Sequence, residues 1–289
     1  MILKAKPPFD FRLSAGISRD FDGEELCLPL RSEAGAILVS IRGKGTVEEP
    51  ELSVELESKE ALSGTERNWA IVTISRMLNL DMNLRDFYES TDDEVLSNLT
   101  VALRGLKVIH TRSVFEALVY AITEQQISLN VAMRIEQKIA ERFGDPIDFG
   151  GERYHVFPEP ERLNSIEDLR RCGLSTRKAE YIRDISAAVS EGRLELENLR
   201  DHERTEEIIE DLCALRGIGQ WTAKMTVMRS MPRYDVLPAD DVGIRRCISR
   251  YYFNGERISQ QQAEETAGRW GAYKGLAAYY LVRATMLGL

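Results

Sequence analysis

Histidine and cysteine are scarce in this 289-residue chain, which has three of the first and four of the second. His110, His155 and His202 stand in no nucleophile-like or metal-ligand pattern, so a hydrolytic triad and a zinc site are disfavoured. Cys27, Cys172, Cys213 and Cys247 are far apart with no Cys-x-x-Cys pair, which removes the usual ligand spacing of an iron–sulfur cluster and reads as reduced, buried small hydrophobes. No Gly-x-x-x-x-Gly-Lys-Ser/Thr loop is present for a nucleoside triphosphate. No apolar run approaches a membrane span and no signal peptide is apparent, so a soluble, cytoplasmic protein without a membrane partner is expected. Low-complexity linkers and internal repeats are absent too.

A surplus of positive charge is also missing. The net charge of -9 would by itself argue against a nucleic-acid partner, because phosphate contacts need Lys and Arg. The average conceals a division. Residues 1–100 hold 11 basic and 19 acidic side chains, whereas between Cys213 and Phe253 there are 7 basic to 3 acidic.

That basic stretch surrounds the most informative segment. Residues 215–225 read Leu-Arg-Gly-Ile-Gly-Gln-Trp-Thr-Ala-Lys-Met, with two glycines between two helical patterns, Thr205–Leu215 and Trp221–Met228. Gly217 and Gly219 are expected to reach backbone angles closed to other residues and to leave no side chain before a ligand. The second helix adds unpaired N–H groups and a partial positive charge, which suits an anion. About twenty residues later, Val236-Leu-Pro-Ala-Asp-Asp-Val-Gly-Ile-Arg-Arg-Cys sets two carboxylates after a proline turn and before another helical pattern.

The rest of the chain divides by period. Runs such as Ala36–Ile41 and Leu52–Leu56, separated by turns around Gly23, Gly43 and Gly45, predict a small antiparallel sheet. From Thr65 a helix carrying Trp69, Ile71, Val72, Ile74, Met77 and Leu78 is expected to pack on it. A polar cluster at Asp86–Asp93 suggests a boundary, giving an N-terminal sheet domain over 1–90 and a helical region over 91–289. Ser113–Phe143 predicts a long helical tract interrupted near Gln125–Ser128 and ended by Phe143-Gly-Asp-Pro; helices are expected to dominate the remainder of the chain. Ser165-Ile-Glu-Asp resembles a capping box, and Cys172-Gly-Leu-Ser is expected to close one helix and cap the next at Ser175. The fold class is therefore α+β.

The two-glycine hairpin, the proline loop and the helix-leading Asp together resemble the helix-hairpin-helix DNA glycosylase superfamily. Gly-Ile-Gly-Gln-Trp-Thr-Ala and Leu-Pro-Ala-Asp-Asp look like the AlkA-type 3-methyladenine DNA glycosylases, as does Glu124-Gln-Gln-Ile-Ser, which is similar to the family's duplex-probing loop. The resemblance is clearest from Leu106 to Leu289. It implies a monofunctional glycosylase that removes alkylated purines of the 3-methyladenine or 7-methylguanine type from duplex DNA in base excision repair. It would act as a monomer, without AP-lyase activity and with no required cofactor.

Residue by residue, the resemblance puts Asp241 at the catalytic position and leaves Asp240 to support the loop. Asp is equally a preferred N-cap, and the two roles are compatible. An anion beside the anomeric carbon opposes the charge of an oxocarbenium-like sugar, and a cationic alkylated purine leaves without a general acid. Trp221 would border the base pocket, where an aromatic face attracts a cationic base by roughly 0.5–2 kcal/mol. Tyr279 and Arg283, in the predicted helix Gly275–Leu287, are candidates for the same pocket. Gln126 stands where the family inserts a wedge into the space left by the flipped base, and Gly217, Gly219 and Thr222 would offer backbone amides to a phosphate. The carbonyls of Cys213, Leu215 and Ile218 would hold a K+ or Na+ between hairpin and phosphate. Two other functions fit the same residues: a glycosylase for another lesion, such as hypoxanthine or an oxidised purine, and a non-catalytic DNA-binding module that uses the hairpin alone.

Overall fold

The computed structural model describes residues 1–32 and 35–289. An antiparallel sheet is built from β1 (Ile2–Lys4), β2 (Glu25–Ser32), β3 (Gly35–Gly45) and β4 (Pro50–Ser58) in the order β1-β4-β3-β2. Its long central pairing sets Val39 against Leu56 and Ile41 against Val54, and both Ile37 and Ile41 are fully buried. Helix α1 (Phe11–Ala15) and helix α2 (Gly64–Met77) cover this sheet. Ser63 and Glu66 close a reciprocal capping box at the start of α2, which fixes where the helix begins. Ile74 and Met77 enter the sheet core as the sequence predicts, whereas Trp69 and Val72 point outward on the opposite face.

A second core begins immediately after the sheet. Leu84 and Phe87 of α3 (Leu84–Glu89) and Leu96 and Leu99 of α4 (Glu94–Ala102) pack with residues of the last third of the chain, not with the sheet. Leu80 belongs to the sheet core and Leu84 to the second. Lys107 ties the units together. Its side chain is fully buried, yet its ammonium donates to the carbonyls of Lys6, Asn79 and Leu80 at 2.9, 3.1 and 3.2 Å, and burial lowers its pKa to about 8.

The third core spans residues 114–236. Helices α5 (Val114–Glu124) and α6 (Leu129–Phe143) are separated at Gln125–Ser128, as the sequence predicts. Then comes a two-stranded ribbon, β5 (Pro146–Phe149) and β6 (Glu152–His155), which the expectation of a mainly helical remainder did not include. Its turn explains it: Gly150 and Gly151 both have positive φ, +57° and +84°, the demand of a two-residue hairpin turn. Helices α7 (Ile166–Arg171) and α8 (Thr176–Ser190) come next, with Ser175 capping α8. At α7 only half of the expected box forms. Ser165 accepts from the Asp168 amide, but the Asp168 carboxylate pairs with Arg171 and Arg142 instead of returning to the cap. The remaining helices are α9 (Thr205–Cys213), α10 (Gln220–Ser230), α11 (Val242–Tyr252), α12 (Gln260–Gly268) and α13 (Lys274–Leu287). No helix of the described residues is long and apolar enough to cross a membrane.

Candidate active site

The hairpin joining α9 to α10 forms as the sequence predicts, but its two glycines do different work. Gly217 has φ +87°, and a Cβ there would lie 2.3 Å from the Tyr181 ring, so both its backbone angle and its close packing demand glycine. Gly219 has φ -102° and ψ 177°, ordinary extended values, and a Cβ there would meet nothing. What Gly219 supplies is open space. As the N-cap of α10 it brings no side-chain acceptor, so the first-turn amides of that helix, Thr222 among them, have no side-chain cap among the described residues. The Thr222 side chain turns inward; its hydroxyl accepts from the Gln125 amide at 2.9 Å.

Asp241 caps the next N-terminus. After the turn in which its amide donates to the Pro238 carbonyl, its Oδ1 accepts from the Ile244 amide at 2.8 Å at the start of α11. Its Oδ2 accepts from the Trp221 indole N–H at 3.0 Å. A capping carboxylate is therefore tied to the aromatic residue at the start of the helix whose amides suit a phosphate. Its position is set from two sides. Asp240 is exposed.

Other candidates surround this pair at greater remove. Gln126 is exposed with φ +57°, a backbone region that L residues seldom occupy, and so stands out from the α5–α6 junction. Tyr279 and Arg283 lie one turn apart on α13, which packs along α11. Arg283 is buried and donates to the Leu13 carbonyl at 3.2 Å, while its Nε and the Tyr279 hydroxyl have no hydrogen-bond partner among the described residues. Burial pushes the Tyr279 pKa up to about 12 against the pull of the Arg283 charge. No hydrogen bond joins either residue to Trp221 or Asp241 among the described residues. Lys224, further along α10, is near enough to the Cys213 thiol for its charge to oppose the rise in pKa that burial gives that thiol.

The cation candidates are the carbonyls of Cys213, Leu215 and Ile218. The Leu215 carbonyl accepts from the Ile218 amide at 3.1 Å; those of Cys213 and Ile218 accept no hydrogen bond among the described residues. Hard oxygen donors with free lone pairs, at a helix C-terminus with no basic residue in its last turn, suit a monovalent cation.

Comparison with known proteins settles the family. Residues 119–272 match the HhH-GPD superfamily of base excision DNA repair proteins, a span that contains the α5–α6 junction, the hairpin and Asp241. The chain belongs to this superfamily. A DNA-3-methyladenine glycosylase of Bacillus subtilis is 32% identical over 218 residues, which is 73% of this chain and 70% of the relative. The structure of a 3-methyladenine DNA-glycosylase from Archaeoglobus fulgidus superposes with a TM-score of 0.85 at 29% identity, covering 100% of this chain and 99% of that one. The Schizosaccharomyces pombe 3-methyladenine DNA glycosylase, solved with abasic DNA, gives 0.59 at 26% identity over 71% of this chain and 97% of its own. Membership explains the α+β architecture, with its small sheet ahead of a helical HhH-GPD region, and makes the protein a base excision repair glycosylase.

Sequence reasoning did not foresee the Trp221–Asp241 hydrogen bond, nor the bond from Gln125 to the hairpin. The first joins residues twenty apart through a loop whose course no local pattern encodes. The second had a readable signal in the paired glutamines, Gln125 and Gln126, of which only the exposed one drew attention.

Proposed function

We propose that this protein is a monofunctional DNA glycosylase that hydrolyses the N-glycosidic bond of alkylated purines in duplex DNA. The observation that carries the reading is the Asp241 carboxylate, fixed by the Ile244 amide and the Trp221 indole beside an uncapped helix N-terminus. In this reading the α10 amides hold a backbone phosphate and Gln126 fills the gap left by the extruded nucleotide. Trp221, with Tyr279 and Arg283 on the α13 side, borders the base. The Tyr279 hydroxyl, buried without a hydrogen-bond partner among the described residues, is a polar group that a bound base would satisfy.

Asp241 stabilises the sugar cation and orients the attacking water. A cationic alkylated purine departs neutral, which is why a single carboxylate suffices. Strand cleavage through an imine requires a nucleophilic amine, and the position two residues after Gly219 is Trp221, whose indole nitrogen is not nucleophilic. A K+ or Na+ on the Cys213, Leu215 and Ile218 carbonyls would add positive charge near the bound phosphate. The enzyme works as a cytoplasmic monomer.

The test is a panel of duplexes, each with a single lesion, incubated with the protein with and without borohydride. Release of 3-methyladenine or 7-methylguanine, abasic sites that break only with alkali, and no trapped adduct are expected. Excision confined to hypoxanthine or oxidised purines would overturn the substrate class, and a borohydride-trapped adduct would overturn the monofunctional mechanism.

A further inference from the structure

Helix α8 lies beneath both elements that this reading sends to DNA. On one side the Lys178 ammonium donates to the carbonyls of Thr123 and Gln125, at 2.8 and 2.6 Å, where α5 ends and the probing loop begins. On the other side Tyr181 packs against Gly217, and Glu180 and Asp184 pair with Arg216 at 3.1 and 3.3 Å. The loop and hairpin also meet directly, since the Gln125 side-chain Nε2 donates to the Gly217 carbonyl at 3.1 Å and to the Thr222 hydroxyl at 2.9 Å. Glu124, the residue before, pairs with Arg229 of α10 at 2.7 Å.

Lys178 is oddly placed for an ordinary surface lysine. It occupies the third position of α8, whose N-cap is Ser175, at the end of a helix where the macrodipole disfavours a cation. Its contacts compensate: the charge faces the C-terminal end of α5, where a cation is favoured. Half-buried there, its pKa is lowered by desolvation, partly offset by Glu124. Next in the chain after its acceptors is Gln126, in the left-handed region and exposed.

We propose that Lys178 is a positioning residue for base extrusion: with Gln125 it locks the probing loop to the hairpin, so that gripping the phosphate holds Gln126 at the height needed to wedge the duplex. This inference rests on the glycosylase reading above. Binding to phosphate would then be insensitive to Lys178, while the step that separates base from stack would depend on it. Because the wedge offsets the cost of breaking a base pair, the dependence should vanish where there is no pair to break.

The experiment compares Lys178→Met and Lys178→Arg with the wild-type protein under single-turnover conditions, on one alkylated base placed either in a fully paired duplex or opposite an abasic-site analogue. For Lys178→Met we expect an excision rate about tenfold lower on the paired duplex, near-normal excision on the unpaired one, unchanged affinity for undamaged duplex, and partial recovery in Lys178→Arg. An equal loss on both substrates, or a parallel loss of affinity, would overturn the inference. A 2-aminopurine stacked beside a tetrahydrofuran site reads wedge insertion without chemistry: its fluorescence should rise with wild-type protein and rise less with Lys178→Met. Identical rises would overturn the inference whatever the protein excises. A wild-type protein that unstacks the probe but releases no alkylated base would overturn the proposed function alone. If Lys178→Met does not fold, Lys178→Gln, which keeps one donor, takes its place with the same expectations.

Discussion

Two helix N-termini lie within twenty-two residues of each other, and they are finished in opposite ways. Helix α11 is closed by its own carboxylate, Asp241, while α10 starts at Gly219 with no side chain to accept from its amides. Starting the helix at glycine forgoes roughly a few tenths of a kcal/mol relative to a good N-cap. A soluble fold gains nothing from that omission, but an anion-binding protein does, since the same amides are then free for a phosphate. Asp241 is the converse arrangement, and its proposed chemistry is compatible with capping, because the cap uses one carboxylate oxygen and leaves lone pairs on the other. The contrast predicts that α10 can be stabilised at the expense of DNA binding, whereas α11 can lose catalysis with little loss of stability.

The largest effect should come from Asp241→Asn. Asparagine is also a good N-cap, so the bond from the Ile244 amide survives, and melting should change by no more than about 1 kcal/mol as the new amide faces the Trp221 N–H. Excision should fall by at least about a hundredfold, because the charge opposing the sugar cation is gone, while binding to an abasic-site analogue duplex persists. Excision at the wild-type rate would reduce α11's carboxylate to a cap and end the comparison.

Next is Gly219→Asp. The backbone there is already extended, as an N-cap requires, and the added side chain meets nothing. Thermal unfolding should show a small gain of about 0.3 kcal/mol. Affinity for duplex DNA, read by fluorescence anisotropy, should drop by about tenfold or more, the built-in carboxylate taking the place of phosphate. Gly219→Ala separates the space requirement from the charge. Undiminished binding by the Asp variant would show that this terminus does not face DNA.

These opposite finishes were partly legible in the sequence. The glycine pair between two helical patterns located the hairpin, and Asp before an apolar-periodic run located the α11 cap, because both signals are local. Gly219's ordinary φ was not legible: the sequence treats the two glycines alike, and only the packing of Tyr181 against Gly217 tells them apart. The β5–β6 ribbon was missed although Gly150-Gly151 announces a hairpin turn, because four-residue strands are too short to show a period against the helical tract before them. Trp69 and Val72 were expected on the sheet and lie outside it; a helix with apolar residues on both faces does not announce which one is buried. The contact of Arg283 with Leu13 spans nearly the whole chain, beyond the reach of any pattern.

A third, smaller effect bears on the link between the termini. Trp221→Phe keeps an aromatic face and removes the indole N–H, so Asp241 loses the partner that orients Oδ2. A single-turnover rate about fivefold lower, with little change in duplex affinity, is expected from one hydrogen bond. A loss as large as that of Asp241→Asn would mean that Trp221 does more than orient the carboxylate and border the base.

The smallest effect should come from Asp240→Asn, which serves as the control for all the others. Asp240 is the immediate neighbour of Asp241 and identical to it in chemistry, but it is exposed and lies one residue before the cap. An exposed carboxylate in high dielectric stabilises a developing cation weakly, so the rate of excision should stay within about twofold of wild type. Its charge does act at longer range on the phosphates, with the opposite sign: removing it should tighten duplex binding slightly at low salt, and the gain should disappear as ionic strength rises. Titrations at two salt concentrations alongside single-turnover rates would separate these. Should Asp240→Asn instead abolish excision while Asp241→Asn leaves it intact, the closed terminus would be purely structural, and the chemistry would belong to the carboxylate that nothing in the fold holds in place.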